Sequence, residues 1–471
     1  MRKLSMLVVC CMAVQGVMAQ STEKKLQDAL TILVKDPQMQ YASYSFYLLN
    51  GTNGQKIWSV NENIGLAPAS CLKVVTAAAS LHTLGSQYQY KTRLAYEGTI
   101  DAQGVLQGNL VVKGGGDPSL GSARYQSATE TAVLQNWLAA IKKAGIKKIN
   151  GKIIGDDSIF DTQTMPDGWV WQDMGNYYGA GPSGLTWREN QFDILLQPGS
   201  VQGEPAMLSS TKPAMPYLTL VNELRTGPKG SGDQAYVYLP PYAETGYIRG
   251  TAGLDEKNFT ISAAVPDAAY ECAYRLQQAL EADNIKAAKG ITTIRRQLIT
   301  KEALPQKLTT ISTTLSPTLD KLVYWFLRKS INLFGEHFVK TLALQSEEQV
   351  STAAGVSVLK TYCQQLGISE AAVNIIDGSG LSPANRITTT ALAKVLYNAQ
   401  KQSWYGAYYE ALPEANGIKM KDGYISNVRS YAGYIKPKQG PPLVFAFIVN
   451  NFSGGAGPMR QKMWKVLDSL K

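Results

Sequence analysis

Histidine is nearly missing from this 471-residue chain: only His82 and His337 occur. Metal sites built on several imidazoles are therefore excluded, and a Ser-His-Asp arrangement has few ways to form. Cysteine is scarce too. Cys10 and Cys11 lie in the first apolar run, which leaves Cys71, Cys272 and Cys363. Three is an odd number, and the spacing fits no disulfide framework or metal knot, so buried thiols are expected. No later stretch reaches 18 consecutive apolar residues, so no membrane span is expected beyond the N-terminus. Charged residues make up only 17% and hydrophobic ones 45%. This excludes wholesale disorder and leaves enough apolar material for a large core, in two or three domains at this length. The net charge of +10 is spread along the chain rather than clustered. It suits an anionic polymer or a plain solvated surface equally, and no nucleic-acid partner is expected.

The N-terminus reads as a cleavable secretory signal. Arg2 and Lys3 precede an apolar run from Leu4 to Met18, and Ala19 ends a site tolerant of cleavage. Residues 1–19 are assigned to that signal, and their removal takes the charge from +10 to +8. The protein is accordingly expected to be exported to the periplasm or cell envelope.

Residues 24–35 have the spacing of an amphipathic helix. Tyr41 to Leu49 alternates, and Asn53-Gly54 marks a hairpin turn before Lys56–Val60. An Ala-rich helix is expected from Ser70 to Leu84, stopped by Gly85. From 88 to 305 short β-like runs alternate with Gly, Pro and Asp clusters. Within it, a helix leading into Ala144-Gly145-Ile146-Lys147 resembles another leading into Asp283-Asn284-Ile285-Lys286, a weak internal repeat. Helices resume at 317, strands are expected over 418–450, and a terminal helix over Met459–Leu470. The hairpin and the C-terminal strands look like one antiparallel sheet flanked by helices, an α+β domain. Its parts are 20–87 and 306–471. The mainly β region 88–305 is an insertion between them, read as two small domains.

With so few histidines, a serine hydrolase needs another base. A lysine serves when burial and nearby cations favour its neutral form. Ser70-Cys71-Leu72-Lys73 places an amine one helical turn from a hydroxyl. The spacing alone is common: Ser21/Lys24, Ser209/Lys212 and Ser357/Lys360 share it. Ser70 is distinguished by its place at the start of the Ala-rich helix, where backbone N–H groups are free for an oxyanion. A plain N-cap role is the alternative. Ser330-Ile331-Asn332 and Lys421-Asp422-Gly423 then follow in the order Ser-x-x-Lys, Ser-x-Asn, Lys-x-Gly, which raises the specificity.

Taken with these motifs, the chain resembles the D-alanyl-D-alanine carboxypeptidases of peptidase family S13, the class C low-molecular-weight penicillin-binding proteins. Ala67–Lys73 resembles the family's nucleophile segment and Ser330–His337 its second motif. Val112–Pro118, Gly155–Ser158 and Tyr178–Ser183 resemble signatures of its inserted region. Asp377-Gly378-Ser379-Gly380-Leu381-Ser382 and Tyr431-Ala432-Gly433-Tyr434 complete the likeness. The 260 residues between Ser70 and Ser330 match the S13 insertion and separate the chain from class A β-lactamases.

The resemblance implies a penicillin-binding, β-lactamase-like fold and an exported DD-peptidase with no cofactor or metal. Peptidoglycan stem peptides are its substrates and β-lactams its inhibitors. Ser70 is the implied nucleophile and Lys73 the base. Ser330 relays a proton, and Asn332 holds the Lys73 amine and a substrate amide. Lys421 attracts the substrate carboxylate, and the N–H groups of Ser70 and Tyr424 hold the oxyanion beside Gly423. A non-catalytic wall-binding scaffold and a β-lactamase-like hydrolase are the competing readings. The chain departs from the family's Lys-Thr-Gly-Thr at Asp422 and Tyr424. Pro383 stands where an Arg often follows, with Arg386 the next candidate. If Asp422 faces the site it repels a terminal carboxylate; the alternative is that it pairs with a nearby base. His337 is expected in the core or at the surface, and Asp117, Asp156 and Asp157 in turns rather than at a metal.

Overall fold

A computed structural model describes residues 23–345 and 350–471. The expected signal segment lies outside the described residues. The chain forms two compact units. Among the described residues, one consists of those up to Ser86, Val323–Ile331 and Val356–Lys471; the other consists of Gln87–Leu322 with the described residues of 332–355.

The first unit is built on a six-stranded antiparallel sheet that joins both ends of the chain. Strand Ser43–Asn50 hairpins to Lys56–Val60 on one side and pairs along its whole length with Leu443–Asn450 on the other. Val428–Ile435, Ile418–Ile425 and the short Glu414–Ala415 follow in that order. The strand expected at Tyr41–Leu49 and the Asn53-Gly54 turn are realised in that hairpin, but Ser45 to Leu49 are all buried rather than alternating. One face is covered by the helix over residues 23–34, through Leu26, Leu30 and Leu33, and by Ala456–Asp468, through Met459, Met463, Val466 and Leu467. These pack on Phe46, Met420, Phe445 and Phe447, burial that removes apolar area from water at roughly 25 cal/mol per Å². The other face carries Thr389–Ala399. Its Thr389 hydroxyl lies 2.6 Å from Ser45, and its Leu396 carbonyl accepts from Tyr434 at 2.8 Å.

The second unit has a five-stranded sheet in the order Ile291–Thr293, Ile153–Asp156, Leu110–Lys113, Lys91–Tyr96, Thr309–Leu315. The first three are parallel. Helix Glu130–Lys143 leads into one of them and helix Ala268–Ala282 into another. The weak internal repeat is thus two βα-type connections feeding neighbouring strands of a single sheet, over a core that includes Trp137, Trp187, Cys272 and Leu276. A separate cluster around Phe192, Ile194, Val237 and Ile248 fills the remaining strands. Thr309–Leu315, expected among the catalytic segments, pairs instead with Lys91–Tyr96, so this unit runs to Leu322 rather than ending at 305.

Candidate active site

Ser70 lies in a 3-10 turn, Ala69–Leu72, and the α-helix proper starts at Lys73 and runs to Leu84. The expected start at Ser70 is therefore one turn too early. The turn is tight because Ala69 has φ +45°, a left-handed conformation that costs an L-residue of order 1–3 kcal/mol. Its surroundings hold it there. A Cβ on Gly380 would stand 1.9 Å from the Ala69 carbonyl oxygen, so only glycine lets the two segments meet. From the opposite side the Ser430 hydroxyl donates to the Pro68 carbonyl at 2.5 Å. A Cβ on Gly423 would come within 2.6 Å of that same oxygen and 2.9 Å of the Ser70 amide nitrogen. The Ser70 N–H is thereby held beside strand Ile418–Ile425.

Lys73 is fully buried. Its Nζ lies 2.9 Å from Ser70 Oγ and donates to the Ser379 carbonyl at 2.6 Å. The ring of Phe326 lies 5.9 Å from Nζ. The Ser379 carbonyl is aimed by its loop. Buried Asp377 accepts from the backbone N–H groups of Gly380 and Ser382 at 2.8 and 2.7 Å and from Asn385 Nδ2 at 2.8 Å. The Gly378 carbonyl accepts from Thr76 on the nucleophile helix at 2.7 Å. Asp377 and Ser379 were visible in the sequence only as a conspicuous motif; their work is to position Lys73.

Ser330 follows helix Leu319–Arg328 and has φ +57°, a second strained residue. Asn332 opens helix Asn332–Ala343 in the other unit, where its Nδ2 donates to the Tyr178 carbonyl at 2.8 Å. Five residues on, His337 is buried. It contacts the Gly116 carbonyl through Nδ1 at 2.8 Å and the Thr186 hydroxyl through Nε2 at 2.9 Å, and burial pushes its pKa down to about 3. It is a neutral core histidine. Asp117 and Asp156 each accept from the N–H and hydroxyl of the serine two residues on, the expected turns.

The third motif departs from expectation. Lys421 is only 1% exposed, and its Nζ is turned onto its neighbour, at 2.6 Å from the Asp422 carbonyl and 3.0 Å from Asp422 Oδ1. Asp422 therefore does not stand as a free charge; it takes the alternative of pairing with a base. Burial would raise its carboxyl, but Lys421 by charge and hydrogen bond, and Arg429 by charge, outweigh that and hold it below the usual carboxylate range. Tyr424 is exposed. Arg386, the substitute considered for carboxylate recognition, donates to the Pro383 and Asn385 carbonyls of its own loop. Cys71, one residue past the nucleophile, donates to the Lys421 carbonyl at 3.2 Å, and burial pushes its thiol up to about 12, which makes it packing rather than a nucleophile.

Comparison with known proteins places these residues in a context. The family model described as D-Ala-D-Ala carboxypeptidase 3 (S13) matches residues 26–469. The D-alanyl-D-alanine carboxypeptidase of Actinomadura sp. (strain R39) is 26% identical over 92% of this chain and 82% of its own. D-alanyl-D-alanine carboxypeptidase DacB of Haemophilus influenzae is 25% identical over 88% of this chain and 86% of its own. The crystal structure of penicillin binding protein 4 (dacB) from H. influenzae superposes with a TM-score of 0.77 at 24% identity, covering 91% of this chain and 95% of that one. The same protein has been solved with a bound β-lactam.

Proposed function

Because the chain belongs to the D-Ala-D-Ala carboxypeptidase 3 (S13) family, we propose that it is an exported serine DD-peptidase. It hydrolyses D-Ala-D-Ala bonds, and related cross-links, in the stem peptides of peptidoglycan, and β-lactams inhibit it. The observation that carries the reading is the 2.9 Å contact of buried Lys73 Nζ with Ser70 Oγ. A hydroxyl beside a buried amine is an activated nucleophile without histidine.

In this reading Lys73 takes the Ser70 proton as Oγ attacks the peptide carbonyl. The N–H groups of Ser70 and Tyr424 stabilise the oxyanion. The carbon–nitrogen bond then breaks, and Ser330 passes a proton to the departing amine, leaving an acyl group on Ser70. Water attacks that ester, Ser70 recovers its proton, and the shortened peptide leaves. Asn332 orients a substrate amide and Gly423 keeps the strand against Ser70. A β-lactam opens on Ser70 in the same way, but its adduct hydrolyses slowly.

The test is labelling with fluorescent penicillin and intact mass spectrometry, on the native chain and on Ser70→Ala. A stable adduct of one drug mass, lost in Ser70→Ala while thermal unfolding is unchanged, is expected. No adduct would mean a scaffold, and rapid turnover of the drug a β-lactamase.

A further inference from the structure

In the second unit, strand Thr245–Gly253 pairs with Thr219–Asn222 on one side and Asp233–Tyr238 on the other. Successive side chains of a strand point to opposite faces. Leu220, Ala235, Val237, Ile248 and Ala252 face inward, onto the cluster around Phe192 and Ile194. The register sets Tyr238 opposite Tyr247, Tyr236 opposite Arg249 and Val221 beside Tyr247, so these five share the other face.

A solvent-facing sheet surface is ordinarily polar. This one carries aromatic rings, extended at its margin by Trp171. Trp171 is 52% exposed and Tyr247 38%. The ring centres of Trp171 and Tyr238 are 6.1 Å apart and their planes are inclined by 35°. The Arg249 guanidinium bridges to the next ring, 5.4 Å from the centre of Tyr238 and 5.1 Å from that of Tyr247. Its Nε donates to Glu223 Oε2 at 2.6 Å, which fixes it in place. Trp171, Tyr238, Arg249 and Tyr247 thus form a row of flat groups, at steps close to the length of one sugar ring.

The row selects a chemistry. Exposed ring faces gain by covering flat C–H surface. Glu223 cancels the charge of Arg249, so the row does not favour an anionic polymer. Hydroxyl and N–H groups at the ring edges offer partners to hydroxyl and amide groups of a ligand. A chain of N-acetylated pyranose rings meets all three conditions. The face is also continuous with a motif already described. The Tyr178 carbonyl that accepts from Asn332 belongs to a residue whose phenol lies within electrostatic range of Tyr236.

We infer that this face is a glycan-binding platform that takes the uncharged N-acetylhexosamine backbone of peptidoglycan. The identity of that polymer rests on the DD-peptidase reading above; the stacking chemistry does not. Holding the strand here keeps its stem peptides near Asn332 and raises their effective concentration.

The test titrates the full chain with a peptide-free hexamer of β-linked N-acetylglucosamine by isothermal calorimetry. Saturable binding is expected, weakened about tenfold in Tyr238→Ala and in Tyr247→Ala, the scale of one lost aromatic stack. Both variants should cleave a soluble D-Ala-D-Ala pentapeptide within about twofold of the native rate, while their KM on polymeric peptidoglycan rises about tenfold. Tyr247→Ala carries the test if Tyr238→Ala does not fold. No saturable binding by the native chain, or undiminished binding by the variants, would overturn the platform. Dimerisation of the native chain that the hexamer does not displace and Tyr247→Ala abolishes would assign the face to a second copy and overturn it too. Penicillin labelling separates the two levels. A native chain that labels but binds no hexamer refutes the platform alone. One that binds the hexamer but neither labels nor cleaves refutes the peptidase reading and leaves the platform standing.

Discussion

Replacing Asp422 by threonine restores the hydroxyl usual in this family and removes one negative charge beside the bound substrate. A substrate carboxylate about 5 Å from that of Asp422 would meet roughly 3 kcal/mol of repulsion at an effective dielectric near 20, of which the Lys421 ammonium, 3.0 Å from Asp422 Oδ1, offsets part. The Asp422 side chain is 50% exposed, so solvent screening reduces this to about half. A second contribution has the same sign, because without Oδ1 the Lys421 ammonium is freed from its side-chain tether and adds positive potential. The net gain is about 1.4 kcal/mol or more, a tenfold or greater rise in kcat/KM for a D-Ala-D-Ala pentapeptide. The assay measures released D-Ala from the pentapeptide, the same peptide as C-terminal amide, and a cross-linked dimer. The gain should be confined to the free acid. An unchanged or lower rate on the acid would refute the electrostatic argument, as would an equal gain on the amide.

Lys73→Ala should reduce penicillin acylation by about 10²–10⁴-fold, the usual cost of losing a general base; a drop below tenfold in stopped-flow labelling would remove Lys73 from that role. Gly423→Ala should cost about 10²-fold in labelling rate, because the new methyl would meet the Pro68 carbonyl and the Ser70 amide and push the nucleophile off its position; a loss under threefold contradicts this. His337 makes the fold acid-sensitive. Its folded pKa is depressed to about 3 from 6.5, so the stability it confers is complete above pH 6.5 and is lost as the pH falls toward 3. Between pH 6.5 and 5 the native chain should lose about 2 kcal/mol more than His337→Gln in urea unfolding, and parallel pH profiles would refute it.

Regular, short-range patterns made much of the first unit legible. The period-2 alternation before Asn53-Gly54 gives the hairpin, and the Ala-rich stretch closed by Gly85 gives the nucleophile helix. What escaped depends on contacts distant in sequence. Nothing near Ser70 shows that Gly380 presses on Ala69 and turns the first residues into a 3-10 turn. Thr309–Leu315 reads Thr-Thr-Ile-Ser-Thr-Thr-Leu, too polar on both faces to look like a strand, and only its partner Lys91–Tyr96 makes it one. The competing positions of Asp422 could be named in advance but not decided, since a Lys421 side chain folding back onto its neighbour leaves no mark in the sequence.

The way the inserted unit closes on itself bears on how the chain assembles. Strands Ser43–Asn50 and Leu443–Asn450 must find each other across almost the full chain, the kind of distant pairing that slows folding. Yet the Leu319 N–H donates to the Tyr88 carbonyl at 2.9 Å, and Ser316 to that of Tyr90 at 3.1 Å, next to the pairing of Lys91–Tyr96 with Thr309–Leu315. Once the second unit has folded, the two ends of Gln87–Leu322 lie side by side, and the polymer separating Ser70 from Ser330 behaves as a short connection. The entropy of closing the sheet is then set by the remaining segments rather than by the whole insertion. Mutations that loosen the pairing of Lys91–Tyr96 with Thr309–Leu315 should therefore slow the arrival of a labelable Ser70 during refolding, although none of those residues belongs to the reacting group.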